Sequence, residues 1–276
     1  MERYAVIGDP VTHSLSPVIH AWFAAQTGKE IHYRQLNVAA ADFEAAVQEF
    51  RQAGGRGLNV TVPHKEAALG LAVQVMPHAR AAGAANWLSF GEDAVVADNT
   101  DGSGLVRDLT ETLGLDLSGM RILLLGAGGA ARGILGPLLA CAPQSLTVAN
   151  RTPERAHVLV ASYDASVNLA ACGLGDLGNA SFDLILNATA AGLSDSPMSL
   201  PASILDVEQT VCYDLMYGAD TAFLAWARQA GCARVCDGLG MLVEQAAESF
   251  ELWHGVRPDT EPVRDRLRSA AKPRTA

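Results

Sequence analysis

The stretch RILLLGAGGAARGILGPLLACAPQSLTVANRT, residues 121–152, decides the fold of this chain. The apolar run Ile122–Leu125 is typical of a strand that is buried on both faces of a parallel sheet. The small-residue turn GAGGAA at 126–131 follows at once, and the pattern predicts a helix over 130–141 and a second strand at Ser145–Ala149. A glycine turn in this setting indicates a βαβ unit that binds a dinucleotide.

Each small residue of the turn has its own task in this interpretation. Gly126 allows the tight turn, Gly128 lets the backbone approach a pyrophosphate, and Ala131 lets the helix pack on the strand. The first N–H groups of the helix and the positive end of its dipole then face the phosphates. The alternative is a tight strand–helix turn that binds nothing.

The end of the second strand predicts which dinucleotide binds. Asn150, Arg151 and Thr152, with Arg155 close behind, stand where a cofactor with a free ribose 2′-hydroxyl would be met by Asp or Glu. Guanidinium groups can instead hold a 2′-phosphate in a planar, bidentate fork. We therefore expect NADP(H) rather than NAD(H), the alternative being a solvated pair of surface arginines.

Composition limits the classes of function. A length of 276 residues suggests two domains, and 49% hydrophobic residues allow substantial cores. A net charge of −10 and a pI near 5.1, without any basic run, argue against nucleic-acid and acidic-membrane partners. The longest apolar window, 123–142, contains Arg132 and Pro137, and the N-terminus lacks a signal-peptide pattern. We expect a soluble, cytoplasmic protein.

The cysteines indicate neither a disulfide framework nor a metal site. All five are scattered, with no C-x-x-C pair and no matching histidine cluster: Cys141, Cys172, Cys212, Cys232 and Cys236. We expect the cysteines to be small core residues of a protein in a reducing compartment, and we expect no bound metal.

Two hydroxyls precede the first predicted helix, which runs from Pro17 to about Gln26. Ser16 before Pro17 is a good N-cap. Ser14 and Ser16 could equally bind a small carboxylate beside the helix N-terminus, and the two interpretations are compatible.

Further along, polar residues alternate with Leu58, Val60 and Val62, which predicts a strand. Asn59 and Thr61 then point to one side, with Lys65 just past the strand end. This pattern suits a polyhydroxylated ligand, or else forms an exposed polar edge.

The run DNTDG at 98–102 marks a loop tip or a site, and the pattern alone favours Asp101 as a helix N-cap. Further strands are predicted at 4–8, 31–38, 87–90, 94–97, 182–187, 211–215 and 235–237, and further helices at 41–53, 77–85, 105–113, 154–163, 221–230, 241–254 and 261–267.

Taken together, the motifs resemble those of the shikimate dehydrogenase family. They are HSLSP (13–17), NVTVPHK (59–65), GAAN (83–86), NTDG (99–102), GAGGAARG (126–133), NRT (150–152), NATAAG (187–192), YDLMY (213–217) and DGLGMLVEQA (237–246). All nine occur in the family's order and span nearly the whole chain.

The resemblance implies an α/β architecture with an N-terminal α/β substrate domain and a Rossmann-type, doubly wound parallel-sheet NADP domain. C-terminal helices return to the first domain. We place the substrate domain at 1–102 plus 239–276 and the NADP domain at 103–238. The implied activity is the reversible, NADPH-linked reduction of 3-dehydroshikimate to shikimate on the route to chorismate and aromatic amino acids.

Motif matching also implies the site residues. Lys65 and Asp101 form the catalytic pair; which of them moves the proton stays open, and our hypothesis makes Lys65 the acid/base group, oriented by Asp101. The substrate residues are Ser14 and Ser16 for the carboxylate, Asn59, Thr61, Asn86 and Gln245 for the ring hydroxyls, and Tyr217 at the wall. The cofactor residues are Gly126, Ala127, Gly128, Gly129 and Ala130 at the pyrophosphate, Asn150, Arg151, Thr152 and Arg155 at the ribose phosphate, and Leu215 and Gly238 by the nicotinamide.

Two other functions stay open at this stage. A quinate/shikimate dehydrogenase tends to use NAD and an acid at the ribose position, against which Arg151 argues. A non-catalytic NADP-sensing relative could keep the fold, but retention of Lys65 and Asp101 argues against it. We expect a monomer or a homodimer with small-molecule ligands.

Overall fold

The computed structural model describes residues 1–92, 94–164, 167–189 and 200–271. The chain divides into two compact units, Met1–Leu105 with Leu242–Ala276, and Val106–Met241. The domain boundaries predicted at 102 and 238 each lie three residues before these divisions. The last three residues of the NATAAG motif, 190–192, lie outside the described ranges.

The first unit is built on a mixed six-stranded sheet. Its strands are β1 (Glu2–Gly8), β2 (Ile31–Asn37), β3 (Gly55–Val60), β4 (Gln74–Val75), β5 (Trp87–Phe90) and β6 (Val95–Asp98), in the order β2-β1-β3-β5-β6-β4. β1 is parallel to both neighbours, β5 is antiparallel to both of its neighbours, and β4 is parallel to β6.

Helices cover this sheet. They are α1 (Ser16–Thr27), α2 (Phe43–Gln52), α3 (Lys65–Gly70), α4 (Pro77–Ala82) and α5 (Asp101–Arg107), with a 3₁₀ turn at Ala40–Asp42; most of α9 (Leu239–His254) and all of α10 (Glu261–Ala271) also belong to this unit. The sequence of α2 explains why it packs on the sheet. Phe43, Val47 and Phe50 recur at helical spacing and are buried in one cluster with residues of β1 and β3. The 3.6-residue period thus places one apolar stripe on the sheet.

Helix α9, the last but one of the described chain, packs against the core of this unit. Phe250 of α9 meets Phe23 of α1 with ring centroids 5.9 Å apart, and Trp253 stacks on Trp87 of β5 at the same separation. Trp253 also donates from Nε1 to the carbonyl of Leu88 at 3.2 Å. A helix from the last forty residues of the chain therefore packs on a helix and a strand from its first ninety.

The second unit is built on an all-parallel six-stranded sheet. Its strands are β7 (Arg121–Leu125), β8 (Ser145–Asn150), β9 (Asn168–Gly173), β10 (Leu184–Asn187), β11 (Val211–Asp214) and β12 (Arg234–Cys236), in the order β12-β11-β10-β7-β8-β9. Its helices are α6 (Gly129–Ala140), α7 (Pro153–Ala161) and α8 (Ala222–Gln229), with 3₁₀ turns at Leu174–Asp176 and Ala202–Ile204. This is the doubly wound order, whose switch point lies between β7 and β10.

The predicted fold class is confirmed. Residues 122–125 of β7 are fully buried, as the continuous apolar run predicts. Three elements, α3, β4 and β9, were not predicted. The helix expected over 105–113 is replaced by the end of α5 and a π-helical turn at Asp108–Thr112. Within the described ranges, no helix is long and apolar enough to cross a membrane.

Candidate active site

Lys65 and Asp101 lie together in the first unit. Nζ of Lys65, at the start of α3, donates to Oδ2 of Asp101 at 2.5 Å. The lysine side chain keeps 26% of its surface exposed and the aspartate 12%, so the pair lies at the edge of the protein's interior, within reach of a ligand.

The sequence pattern alone favours Asp101 as the N-cap of a helix, and this is wrong. Asp101 is the first residue of α5. Its carboxylate accepts hydrogen bonds from two side chains, Lys65 and Asn86. Its own backbone N–H donates to Oδ1 of Asn99 at 3.0 Å. The acid is thus held in place for contacts with other side chains.

The buried amide of Asn86 joins Asp101 to Thr100. Nδ2 donates to Oδ1 of Asp101 at 2.9 Å, to Oγ1 of Thr100 at 3.0 Å and to Oε1 of Gln245 at 3.3 Å. Oδ1 accepts from the backbone N–H of Thr100 at 2.8 Å. Protein groups therefore take up both donor protons of Asn86, which makes it a support of Asp101 as well as a predicted substrate ligand.

Gln245 of α9 reaches this group because α5 approaches closely. A Cβ added at Gly104 would lie 2.6 Å from Cβ of Gln245 and 2.8 Å from its Cα, so only glycine fits there. Thr100 donates from Oγ1 to the carbonyl of Gln245 at 3.1 Å.

The strand predicted around Asn59 and Thr61 includes Asn59 but ends before Thr61. β3 ends at Val60, so the alternation stops before Thr61, whose backbone N–H still donates to the carbonyl of Ile7 at 2.9 Å. Asn59 is buried, and its Nδ2 donates to Oγ of Ser249 at 2.8 Å. Asn59 thus lies inside the unit and not on an exposed polar edge.

The two serines before α1 are neighbours. Oγ of Ser14 lies 3.1 Å from Oγ of Ser16 and accepts from the Ser16 backbone N–H at 3.2 Å. The N-cap of α1 is Leu15, so the N-cap interpretation of Ser16 is wrong; Ser16 is the first residue of the helix. Its hydroxyl therefore does not cap the helix in the predicted way.

In the second unit, the glycine turn forms an open cradle at the start of α6. Gly126 has φ +104°, the left-handed region that glycine tolerates, and a Cβ there would press on the backbone of Ala188 at 3.1 Å. A Cβ at Gly128 or Gly129 would meet nothing within 4 Å. Exposed backbone N–H groups at the start of a twelve-residue helix suit a pyrophosphate.

The ribose-phosphate residues lie between β8 and α7. Arg151 and Arg155 are both exposed and form no salt bridge within the described ranges, while Nδ2 of Asn150 donates to the carbonyl of Thr152 at 2.8 Å. This bond fixes the turn from which the two guanidinium groups project. The arrangement fits a phosphate ligand.

Leu215 and Tyr217 follow β11, whose last residue organises the loop. The Asp214 carboxylate accepts from Asn187 Nδ2 and from the Met216 N–H, each at 3.0 Å. Gly238 donates from its N–H to the carbonyl of Met216 at 2.9 Å, and any Cβ there would clash with the carbonyl of Leu215. The two predicted nicotinamide residues, Leu215 and Gly238, are therefore in direct contact.

Tyr217 lies two residues beyond Leu215. Burial raises the pKa of Tyr217, so its hydroxyl stays neutral.

Sequence reasoning missed three residues of the first unit: Tyr33, Thr100 and Ser249. Tyr33 donates from its hydroxyl to Oδ1 of Asn59 at 2.8 Å, and Oγ of Ser249 lies 3.3 Å from Oγ1 of Thr100. Thr100 lies within the quoted NTDG motif and could have been found from it. Tyr33 and Ser249 stand in no motif, and their roles need the fold.

Comparison with known proteins agrees with this geometry. Three family models match the chain: "Shikimate dehydrogenase substrate binding domain" over residues 6–88, "Shikimate / quinate 5-dehydrogenase" over 108–194 and "Shikimate 5'-dehydrogenase C-terminal domain" over 238–268. Among curated relatives, the shikimate dehydrogenase (NADP(+)) of Aromatoleum aromaticum is 53% identical over 272 residues, 97% of each chain.

Solved structures give the same result. An Ael1 enzyme from Pseudomonas putida is 45% identical with a TM-score of 0.91, covering 97% of this chain and 98% of its own. The shikimate 5-dehydrogenase from Thermus thermophilus, in complex with NADP(H) and shikimate, is 36% identical with a TM-score of 0.85, covering 98% of this chain and all of its own (100%). The chain belongs to the shikimate dehydrogenase family.

Proposed function

We propose that this chain reduces 3-dehydroshikimate to shikimate reversibly with NADPH, on the route to chorismate and aromatic amino acids. The observation that carries the proposal is the Lys65–Asp101 pair, which Asn86 supports from behind. Relatives about 50% identical over nearly the whole chain are NADP-dependent shikimate dehydrogenases. The five cysteines, all within the described ranges, form no disulfide, which supports a reducing compartment, the cytoplasm.

The second unit supplies the groups that would hold NADP(H). The open cradle at Gly128 and Gly129 leaves room for a pyrophosphate against the backbone. Arg151 and Arg155 offer charge-assisted hydrogen bonds to a 2′-phosphate, each contributing about 1.5–3 kcal/mol. An acid at this position would repel that phosphate.

The first unit supplies the groups that would hold the substrate. Ser14 and Ser16 offer two hydroxyls at the start of α1, where the helix dipole favours a carboxylate. Asn59, Thr61, Asn86 and Gln245 offer hydrogen-bonding groups to the ring hydroxyls.

Proton transfer is the step that this chain's own residues carry. When bound, NADPH is the hydride donor to the ring carbonyl. Negative charge then builds on the carbonyl oxygen, and Lys65 is placed to give it a proton from Nζ. Asp101 fixes the direction of the ammonium, because its Oδ2 accepts from Nζ at 2.5 Å. In the reverse direction the neutral amine takes the proton back.

A substrate panel tests the proposal. Purified protein is mixed with NADP⁺ and, in turn, shikimate, quinate and aminoshikimate, and formation of NADPH is followed by absorbance. We expect shikimate to give the highest kcat/KM and NAD⁺ to replace NADP⁺ poorly. Preference for quinate with NAD⁺ would favour the quinate/shikimate alternative, and NADP⁺ binding without turnover would favour the sensing module.

A further inference from the structure

Tyr33 of β2 holds a fixed position beside the candidate substrate residues. Its ring stacks on that of His20, with centroids 4.2 Å apart and planes 9° from parallel. His20 is fully buried, and burial lowers its pKa to about 3, so the stacked imidazole is neutral at ordinary pH. The stack directs the Tyr33 hydroxyl at Oδ1 of Asn59, 2.8 Å away.

The hydrogen-bonding capacity of Asn59 is nearly used up by the protein. Nδ2 donates to Oγ of Ser249 at 2.8 Å and to the carbonyl of Asn86 at 3.3 Å, which accounts for both amide protons. Oδ1 accepts from Tyr33, which takes one of its two lone pairs. One acceptor position on Oδ1 is left for a ligand.

Two partners fix the orientation of the Asn59 amide. The carbonyl of Asn86 can only accept, so Nδ2 must face it, and the Tyr33 hydroxyl then meets Oδ1 as a donor. A rotated amide would place Oδ1 against the Asn86 carbonyl and lose the bond from Tyr33. The Asn86 carbonyl therefore sets the orientation of the amide, and in that orientation Tyr33 holds Oδ1 in place by donating to it.

We propose that Tyr33 is a positioning residue of the substrate site: it holds Asn59 as the acceptor for one ring hydroxyl. The inference rests on the proposed function, since it concerns the same site. Tyr33 acts through Asn59, which would touch the substrate.

The test compares two matched variants. Tyr33→Phe keeps the stacked ring and removes only the hydroxyl, so we expect KM for shikimate to rise about three- to tenfold, the range of one neutral hydrogen bond. KM for NADP⁺ and kcat should stay within about twofold. Tyr4→Phe is the control, because Tyr4 pairs with Tyr33 across β1 and β2 while its hydroxyl donates to Glu2 at 3.3 Å. We expect it to leave KM for shikimate unchanged.

Binding of analogues that each lack one ring hydroxyl makes the test selective. We expect Tyr33→Phe to weaken the binding of every analogue except one. The exception is the analogue that lacks the hydroxyl from which Asn59 accepts a hydrogen bond. An equal loss for all analogues, or an unchanged KM for shikimate, would overturn the positioning role. If the wild-type protein does not oxidise shikimate at all, the proposed function fails instead, so the two failures are distinct.

Discussion

The amide of Asn86 donates to Oδ1 of Asp101 at 2.9 Å while Nζ of Lys65 donates to Oδ2 of the same carboxylate at 2.5 Å. One oxygen is held by a buried neutral group and the other by a partly exposed cation. The carboxylate cannot rotate without breaking both bonds. The ammonium therefore has a fixed direction, which proton transfer requires.

Loss of the Lys65 amine should remove proton transfer. We expect Lys65→Met to lower kcat about 10²- to 10⁴-fold, the usual contribution of a positioned acid–base group. NADP⁺ affinity, measured by titration, should hardly change because the cofactor residues lie in the second unit. Lys29→Met, at an exposed lysine, is the control. Turnover near that of wild type would refute the assignment of Lys65.

Truncation of Asn86 should affect both stability and turnover. In Asn86→Ala the backbone N–H of Thr100 and Oδ1 of Asp101 lose their amide partner. We expect the free energy of unfolding to fall by about 1–3 kcal/mol, as for a buried polar group left unpaired. Urea unfolding measures this loss, and steady-state assays should show a fall in kcat of about tenfold, for the loss of roughly one hydrogen bond. An unchanged kcat would mean that Asp101 needs no support from Asn86.

Removal of the Arg151 side chain should weaken the binding of NADP⁺ and leave the binding of NAD⁺ unchanged. We expect Arg151→Ala to raise Kd for NADP⁺ roughly ten- to a hundredfold, because a charge-assisted hydrogen bond contributes about 1.5–3 kcal/mol. Fluorescence titration with both cofactors measures the difference, with Arg80→Ala in the first unit as the control. Equal loss of affinity for NADP⁺ and NAD⁺ would show that Arg151 does not contact the 2′-phosphate.

The sequence predicted most of the second unit because its signals are local. A buried strand, a glycine turn and a helix follow one another within 121–140, and each obeys its own backbone rule. β9 escaped prediction since Asn168–Gly173, NLAACG, lacks β-branched residues and has a largely half-buried pattern. Its place in the sheet comes from pairing with β8.

The candidate site could be predicted only where motifs carry it. Lys65 and Asp101 lie in recognisable motifs, but their contact joins residues 36 positions apart. Tyr33 and Ser249 lie in an ordinary edge strand and an ordinary helix, and their bonds to Asn59 span 26 and 190 positions. Capping preference favoured Ser16 and Asp101 as N-caps, yet each begins its helix, because Ser16 takes part in the Ser14 pair and the Asp101 carboxylate binds Lys65 and Asn86.

Acid should destabilise the protein through His20. Burial, with the nearby His254, lowers the pKa of His20 from 6.5 to about 3. The unfolded chain binds this proton below pH 6.5 and the folded chain does not, so stability falls as the pH drops from 6.5 towards 3. Between pH 7 and 5 the loss is about 2 kcal/mol.

Urea unfolding at the two pH values checks this expectation. His20→Phe should lose about 2 kcal/mol less than wild type over the same interval, since Phe does not titrate. His13→Asn removes an exposed histidine and should behave as wild type does. Parallel losses in the wild type and His20→Phe would contradict the role of the buried imidazole.

The packing of α9 on β3 and β5 has a consequence for biosynthesis. Asn59 donates to Ser249, and the indole of Trp87 donates to the Ser249 carbonyl at 3.2 Å, so the first unit lacks these partners until residue 249 has left the ribosome. Residues 106–241 form the other unit from one continuous segment. Co-translational folding can therefore complete the unit at residues 106–241 first, because the unit that contains the N-terminus still needs α9.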